Sequence, residues 1–411
     1  MRSRRIPGSA AALLIGGALL LTTACGGSSG GGGNASGTVT AQASAGGQAS
    51  ASGQGTAQAA AKPSGASVSV QPADGTQNVK PDGAVKVSVA GGKLTQVTVT
   101  GPDGKAVTGA VGADGSWAPS AALAVSTKYR VNAQAVDASG AATTTTSSFT
   151  TLTPARTEKV TDNLDKDATY GVGMIISVGF DGPVTDKKAA EQAITVEASD
   201  GTTVRGHWFG DDRLDLRPEH YWKPGTKVTV HRRVTNVELA KGVYGSSDTD
   251  ETFTVGRSKI STVDAATHQM TVVKDGAPTQ TIAVTAGADD NPSWNGTMVI
   301  FDRERMVHMD SKTTNIKGPG YDVYEPHGLK ITDSGSYVHG NPKAQWAAGH
   351  ENISHGCVGL PDTDAGDDNS VAGKFFADSM VGDVVIVEHS VGQQVSPDNG
   401  LSGWSLPWAQ W

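Results

Sequence analysis

The sequence predicts a mainly β protein: a tether, two consecutive β-sandwiches, and a third β-rich domain with one or two short helices. Three observations carry this reading. Val and Thr alternate at period two in short segments between Gly-rich turns from Ser67 onward. A Gly, Ser, Ala, Gln and Thr tract without apolar periodicity precedes them. A chain of 411 residues also exceeds one ordinary domain.

The chain opens on the basic run Met1-Arg2-Ser3-Arg4-Arg5, followed by apolar residues from Ala10 to Leu21 and by Thr22-Thr23-Ala24-Cys25. Residues 1–24 read as a secretory leader, too short to span a bilayer permanently. The small residues before Cys25 resemble the bacterial lipobox, where cleavage exposes a cysteine that takes up fatty acids, although Thr22 stands where such leaders usually carry Leu. Lipidation of Cys25 would hold the protein on the outer face of the cytoplasmic membrane, each buried methylene contributing about 0.8 kcal/mol. Residues 25–64 then form a flexible tether whose coil of about 36 residues spans on the order of 30 to 36 Å.

Residues 65–153 carry Val68-Ser69-Val70, Val85-Lys86-Val87-Ser88-Val89, Val97-Thr98-Val99 and Tyr129-Arg130-Val131, the pattern of an antiparallel sandwich. Residues 154–256 repeat it with Val204 to Trp208, Arg213 to Leu216 and Lys227 to Val230. In both units a tryptophan, Trp117 or Trp208, precedes a turn and a strand of like pattern, which suggests duplication. Neither unit clusters His, Asp or Glu at ligand spacing, so both read as immunoglobulin-like spacers. Their tryptophans are expected in the cores, with a binding surface at Trp208 or Trp222 as the alternative.

Residues 257–390 stay β-rich, with strands expected at Gln269 to Val273, Thr281 to Val284, Met298 to Phe301, Ser336 to His339 and Val384 to Val387, and a helix around Ala372 to Ser379. The segment 391–411 holds Trp404, Trp408 and Trp411, which are costly to expose and should dock on a domain face. The formal charge of −8 becomes about −11 once Arg2, Arg4 and Arg5 leave with the leader. An acidic chain without basic blocks argues against nucleic acid as a partner.

The chain has two cysteines. If Cys25 is lipidated, Cys357 is a lone thiol in an oxidising compartment, and such a thiol calls for a chemical reason. Thiol catalysis needs a thiolate, a base and fixed donors for an oxyanion. Cys357 follows Gly356 and precedes Gly359 by two, which leaves it and nearby amides open to a substrate backbone. His339 ends the run Ser336-Tyr337-Val338-His339, where alternation puts Tyr337 and His339 on one face; it is the expected base, paired with Cys357 as imidazolium and thiolate. His355, two residues from Cys357, is expected to shape the pocket instead. His350 and His355 in one loop, and His308 and His327 alone, lack the spacing of a metal site, and no metal or other cofactor is expected. Ser354 lacks the elbow of a serine nucleophile.

Taken whole, Tyr337-Val338-His339-Gly340 with Gly349-His350-Glu351-Asn352-Ile353-Ser354-His355-Gly356-Cys357-Val358-Gly359-Leu360 resembles the signature of L,D-transpeptidases with a YkuD-type catalytic domain. Met309-Asp310-Ser311, Gly320-Tyr321 and Gly403 to Trp408 look like the actinobacterial members that carry immunoglobulin-like domains. The resemblance implies Cys357 as nucleophile, His339 as general base and acid, and Gly340 as third member through its carbonyl. It implies Tyr321 as a lid residue beside the oxyanion site, with Ser354, His355, Gly356 and Met309 completing the pocket. Related enzymes often carry Asn at the place of Gly359 and an aromatic at that of Lys343, so substrate contacts there are not carried over.

The implied activity is 3→3 cross-linking of peptidoglycan stem peptides through a Cys357 thioester with release of D-Ala, by a monomer standing outside the membrane and reaching into the wall. Carbapenems should acylate the same thiol. The loop from Thr313 to Tyr324, with its Gly318-Pro319-Gly320 turn, is expected to act as a lid against water. The alternatives are a carboxypeptidase, a protein-to-wall transferase, or an idle wall-binding lipoprotein.

Overall fold

The structure is a computed structural model that describes residues 63–411 apart from 315, 317 and 319. The leader, Cys25, nearly all of the tether and Pro319 of the expected turn lie outside the described residues. The described chain is mainly β. None of its helices is long and apolar enough to cross a membrane.

The first unit packs two four-stranded sheets. In the strand Lys128–Asp137, Tyr129, Val131, Ala133 and Ala135 are buried and the residues between them exposed. That alternation puts four side chains on one face, against Val87 and Trp117 of the other sheet. The strand Ala142–Thr151 completes the unit although no apolar alternation announces it, because two of its buried positions are Ser147 and Thr151.

The second unit is a sandwich of two four-stranded sheets with a small third sheet. It contains a helix that the sequence reading did not anticipate, Lys187–Gln192, capped by the Asp186 carboxylate accepting from the Ala189 N–H at 3.0 Å. Trp222 is buried and donates to the Met174 carbonyl at 2.8 Å. Trp208 is half-buried and stacks on Phe180 with centroids 5.3 Å apart.

The third unit packs a five-stranded sheet against a four-stranded one. The first runs Ala277–Ala283, Gln269–Lys274, Lys259–Asp264, Val384–Glu388, Gly296–Val299; the second runs Asp302–Asp310, Asp322–Lys330, Tyr337–Asn341, Val358–Pro361. Val263, Met270 and Val385 from one layer meet Leu329, Val338 and Leu360 from the other. The helix Val371–Ala377 is capped by Ser370, and a shorter helix, Ala344–Ala347, follows the strand that holds His339.

The second and third units share one apolar core. Val172, Met174 and Ile176 lie in the same buried cluster as Val299, Val384 and Leu401. The Gly171 and Gly173 N–H groups donate across to the Val381 and Gly382 carbonyls, both at 2.8 Å. The first unit keeps a separate core and is tied to the second by polar contacts, among them the Val125 N–H on the Asn236 Oδ1 at 3.1 Å.

The Trp-rich tail crosses from the third unit to the second. The Arg217 guanidinium carbon lies 4.6, 5.3 and 4.3 Å from the ring centroids of Trp404, Trp408 and Trp411. Its NH2 group donates to the Leu406 carbonyl at 2.8 Å. Burial pushes this guanidinium down to about 10, and the surrounding π faces offset the cost of removing the cation from water. Arg217→Ala is therefore expected to destabilise the protein by about 2–4 kcal/mol in denaturant unfolding and to shift the fluorescence of the tail tryptophans. An unchanged midpoint would show that the tail docks without its cation.

Candidate active site

The parallel pair Tyr337–Asn341 and Val358–Pro361 assembles the site. Val338 stands opposite Val358 and His339 opposite Gly359, so one further step of register puts Cys357 beside Tyr337. Val338 and Val358 are buried in the core, which leaves Tyr337, His339 and Cys357 on the other face. Cys357 and His339 thereby share one face of this pair. The Tyr337 backbone N–H reaches the Cys357 sulfur.

His339 is buried, with Nδ1 2.7 Å from the Gly340 carbonyl oxygen. A carbonyl only accepts, so Nδ1 carries the proton and Nε2 keeps its lone pair. Gly340 has no room for a side chain, since a Cβ would lie 2.2 Å from the Asp362 Oδ2. Burial pushes the His339 imidazole down to about 4, outweighing the Gly340 carbonyl and the Asp362 charge, both of which favour the cation. Burial likewise pushes the Cys357 thiol up to about 11, aided by the charge of Glu325 and opposed by the Tyr337 N–H. Both directions favour the neutral thiol and imidazole, the opposite of the expected thiolate and imidazolium, because burial penalises the charged form of each. The proton must move as the sulfur attacks.

The loop before Cys357 is pinned by side chains. The Ser354 hydroxyl donates to the Cys357 carbonyl at 2.6 Å and accepts from the Gly356 N–H at 3.1 Å. Ser354 therefore clamps the loop through both bonds. Ser293 donates to the Gly356 carbonyl at 3.0 Å, and Asn352 accepts from the Ala286 N–H at 2.9 Å. No described residue accepts from the Cys357 N–H, which leaves that amide available to an oxyanion. Gly356 has φ 116°, a conformation that costs other residues about 1–3 kcal/mol. Gly356→Ala is expected to slow thiol acylation by about tenfold or more while the fold persists, because the strain is relieved by moving the Cys357 amide. Mass-spectrometric acylation kinetics beside a thermal melt check this.

A cavity of ≈ 580 Å³ opens in front of the loop, walled by Trp294, Tyr321, His355, Gly356 and Gln393 among others. It backs onto Gly335, whose carbonyl oxygen is 3.8 Å from the Cys357 sulfur. The Tyr321 ring lies 5.1 Å from that of His355, and burial with the nearby Cys357 and Glu325 charges raises its phenol. Met309 stands apart: it is half-buried opposite Val323 and outside the cavity wall. Of the expected lid, Thr313, Thr314 and Ile316 line the cavity, whereas Tyr324 belongs to the strand Asp322–Lys330 and stacks on His308 at 4.8 Å.

Gly359 is closed to substrate by its own neighbours, since a Cβ there would lie 2.9 Å from the Thr285 Cγ2 and 3.2 Å from the Asn341 Cβ. Lys343 is exposed at the start of the short helix. Two functional positions escaped the sequence reading. Ser293 pins the loop from over sixty residues away. Glu325 puts Oε2 3.8 Å from His339 Nδ1. Among the described residues one grouping has metal-ligand type, Asp264, Glu388 and His389; it belongs to the other sheet, and His389 pairs with Asp264 at 3.2 Å.

Residues 258–387 match the family model of the L,D-transpeptidase catalytic domain, and residues 76–238 that of a bacterial Ig domain. L,D-transpeptidase 2 of Mycobacterium tuberculosis is 32% identical over 343 residues, 82% of this chain and 82% of that protein. L,D-transpeptidase 5 of the same species is 27% identical over 358 residues, 85% of this chain and 77% of its own length. A solved L,D-transpeptidase from Mycobacterium smegmatis shares 26% identity at a TM-score of 0.45, covering 56% of this chain and 99% of that one.

Proposed function

Because this chain belongs to the L,D-transpeptidase family, we propose that it forms 3→3 cross-links in peptidoglycan by two acyl transfers through a thioester on Cys357. The observation that carries the reading is the His339 hydrogen bond to the Gly340 carbonyl, which leaves Nε2 as a lone-pair base on the face it shares with Cys357.

In the first transfer the sulfur attacks the carbonyl that joins the third residue of a donor stem, a diamino acid, to the fourth, D-Ala. The thiol proton passes to His339 Nε2 as the C–S bond forms, and the oxyanion meets the Cys357 N–H. Collapse breaks the C–N bond, D-Ala leaves with the proton from the imidazolium, and the thioester remains. In the second transfer the side-chain amine of another stem attacks the thioester, the C–S bond breaks, and the thiol is restored. Tyr321 and His355 would flank the donor in the cavity and limit the access of water. The same reading sets the catalyst outside the cytoplasmic membrane, anchored by lipid on Cys25 and carried into the wall on the tether.

The test is incubation of the full chain with disaccharide-tetrapeptides, followed by mass spectrometry. Dimers that have lost one D-Ala are expected. Accumulation of tripeptide monomers alone would overturn cross-linking in favour of hydrolysis.

A further inference from the structure

We infer that Glu325 accepts the proton of the incoming amine in the second transfer, a role that rests on the thioester reading above. Its use follows from counting protons. An alkyl amine titrates near about 10.4, so the acceptor arrives as an ammonium without a lone pair. Its nitrogen must lose one proton before it attacks and a second as the amide forms. The second passes through His339 Nε2 to the sulfur when the C–S bond breaks. His339 has no place for the first, because Nδ1 already carries a proton committed to the Gly340 carbonyl. A separate base would let the abundant ammonium react instead of the small fraction already present as free amine.

Glu325 is the carboxylate beside this imidazole, on its Nδ1 side, and its charge is felt at Cys357 and Tyr321. Its Oε2 is 3.8 Å from His339 Nδ1, and its side chain is 20% exposed, which leaves it reachable by a ligand. No described residue donates a hydrogen bond to its carboxylate within ordinary range. The groups that face it from the elements packed around it are His339, Lys343, Asp364, Cys357 and Tyr321. Burial first, then the charge of Asp364, pushes its carboxyl up to about 7, with Lys343 opposing. A carboxyl in that range both takes and returns a proton at neutral pH. The step balances: carboxylate and ammonium become carboxylic acid and amine, the amine bonds to the thioester carbon, and the acid returns its proton to water after the product leaves.

The experiment compares the full-length wild type with Glu325→Gln, which keeps the shape of the side chain. One arm follows thioester formation by intact mass with a carbapenem and also reports that the variant is folded; the other follows dimer formation. Acylation is expected to stay within about threefold, while dimer formation at neutral pH falls by about 10² or more. Wild-type transfer should lose rate as pH falls through about 7, where the carboxylate becomes protonated. The variant should lack that limb and gain rate steadily toward the pH at which the amine itself deprotonates. Equal losses in both arms would overturn the inference, because Glu325 would then act by positioning His339. Unchanged transfer would overturn it as well. A wild type that forms the thioester but no dimers would overturn the proposed cross-linking itself, and this inference with it.

Discussion

Cys357→Ala is expected to abolish both D-Ala release and dimer formation, a loss on the order of 10⁶ in turnover if the thioester is obligatory. The argument is one of missing orbitals rather than lost binding. The variant keeps the cavity, the base and the Cys357 backbone, whose carbonyl still accepts from Ser354. It lacks the atom that would hold the acyl group between the two transfers. The side chain makes only weak polar contacts, to the Gly335 carbonyl at 3.8 Å and to the Tyr337 N–H, so the melting temperature should hardly move. The check is muropeptide mass spectrometry beside a thermal melt. Dimers from the variant at a wild-type rate would show that another group carries the acyl intermediate.

His339→Gln is expected to slow acylation of Cys357 by about 10²–10⁴. Its amide can still donate to the Gly340 carbonyl, so the loss reports the base and not the fold. In the wild type the sign of the pH response follows from burial. The imidazole works only when neutral, and its pKa is pushed down to about 4, so acylation should fall as pH drops through about 4 rather than through the ordinary histidine range. On the alkaline side the thiol stays protonated toward about 11 and the rate should remain level below that. Stability follows the same sign: the folded imidazole titrates below its unfolded value, so its contribution is full above about 6.5 and is lost as pH falls toward the folded value. Acylation followed by intact mass across pH decides the matter. An acid limb near an ordinary histidine value would show that burial does not hold the imidazole down.

Much of this was legible in the sequence where one strand or one turn carried the information. Strands such as Arg213–Arg217, Gln269–Lys274 and Val384–Glu388 fall where valine and leucine alternate or cluster between turns. Ala142–Thr151 was hidden because threonine and serine serve on both of its faces. The helix Lys187–Gln192 is too short to show a period, although Asp186 ahead of Ala189 and Ala190 is a cap in plain view. Cys357, His339 and Gly340 were legible because glycines and a strand end mark them locally. Ser293 and Glu325 were not, since each reaches the site by strand packing or loop contact between remote segments. Sequence adjacency could not reveal the charge state of the thiol and imidazole either, because that depends on burial.

The core shared by the second and third units also limits how this architecture can be recombined. A substitution at Val172 or Met174 is felt by Val299 and Val384, and the tail that closes around Arg217 packs Trp404 against the same core. Side chains chosen on one side of that core must therefore fit those on the other. The first unit, with its own core and polar attachments, is the part whose interior can be altered without asking the catalytic domain to repack.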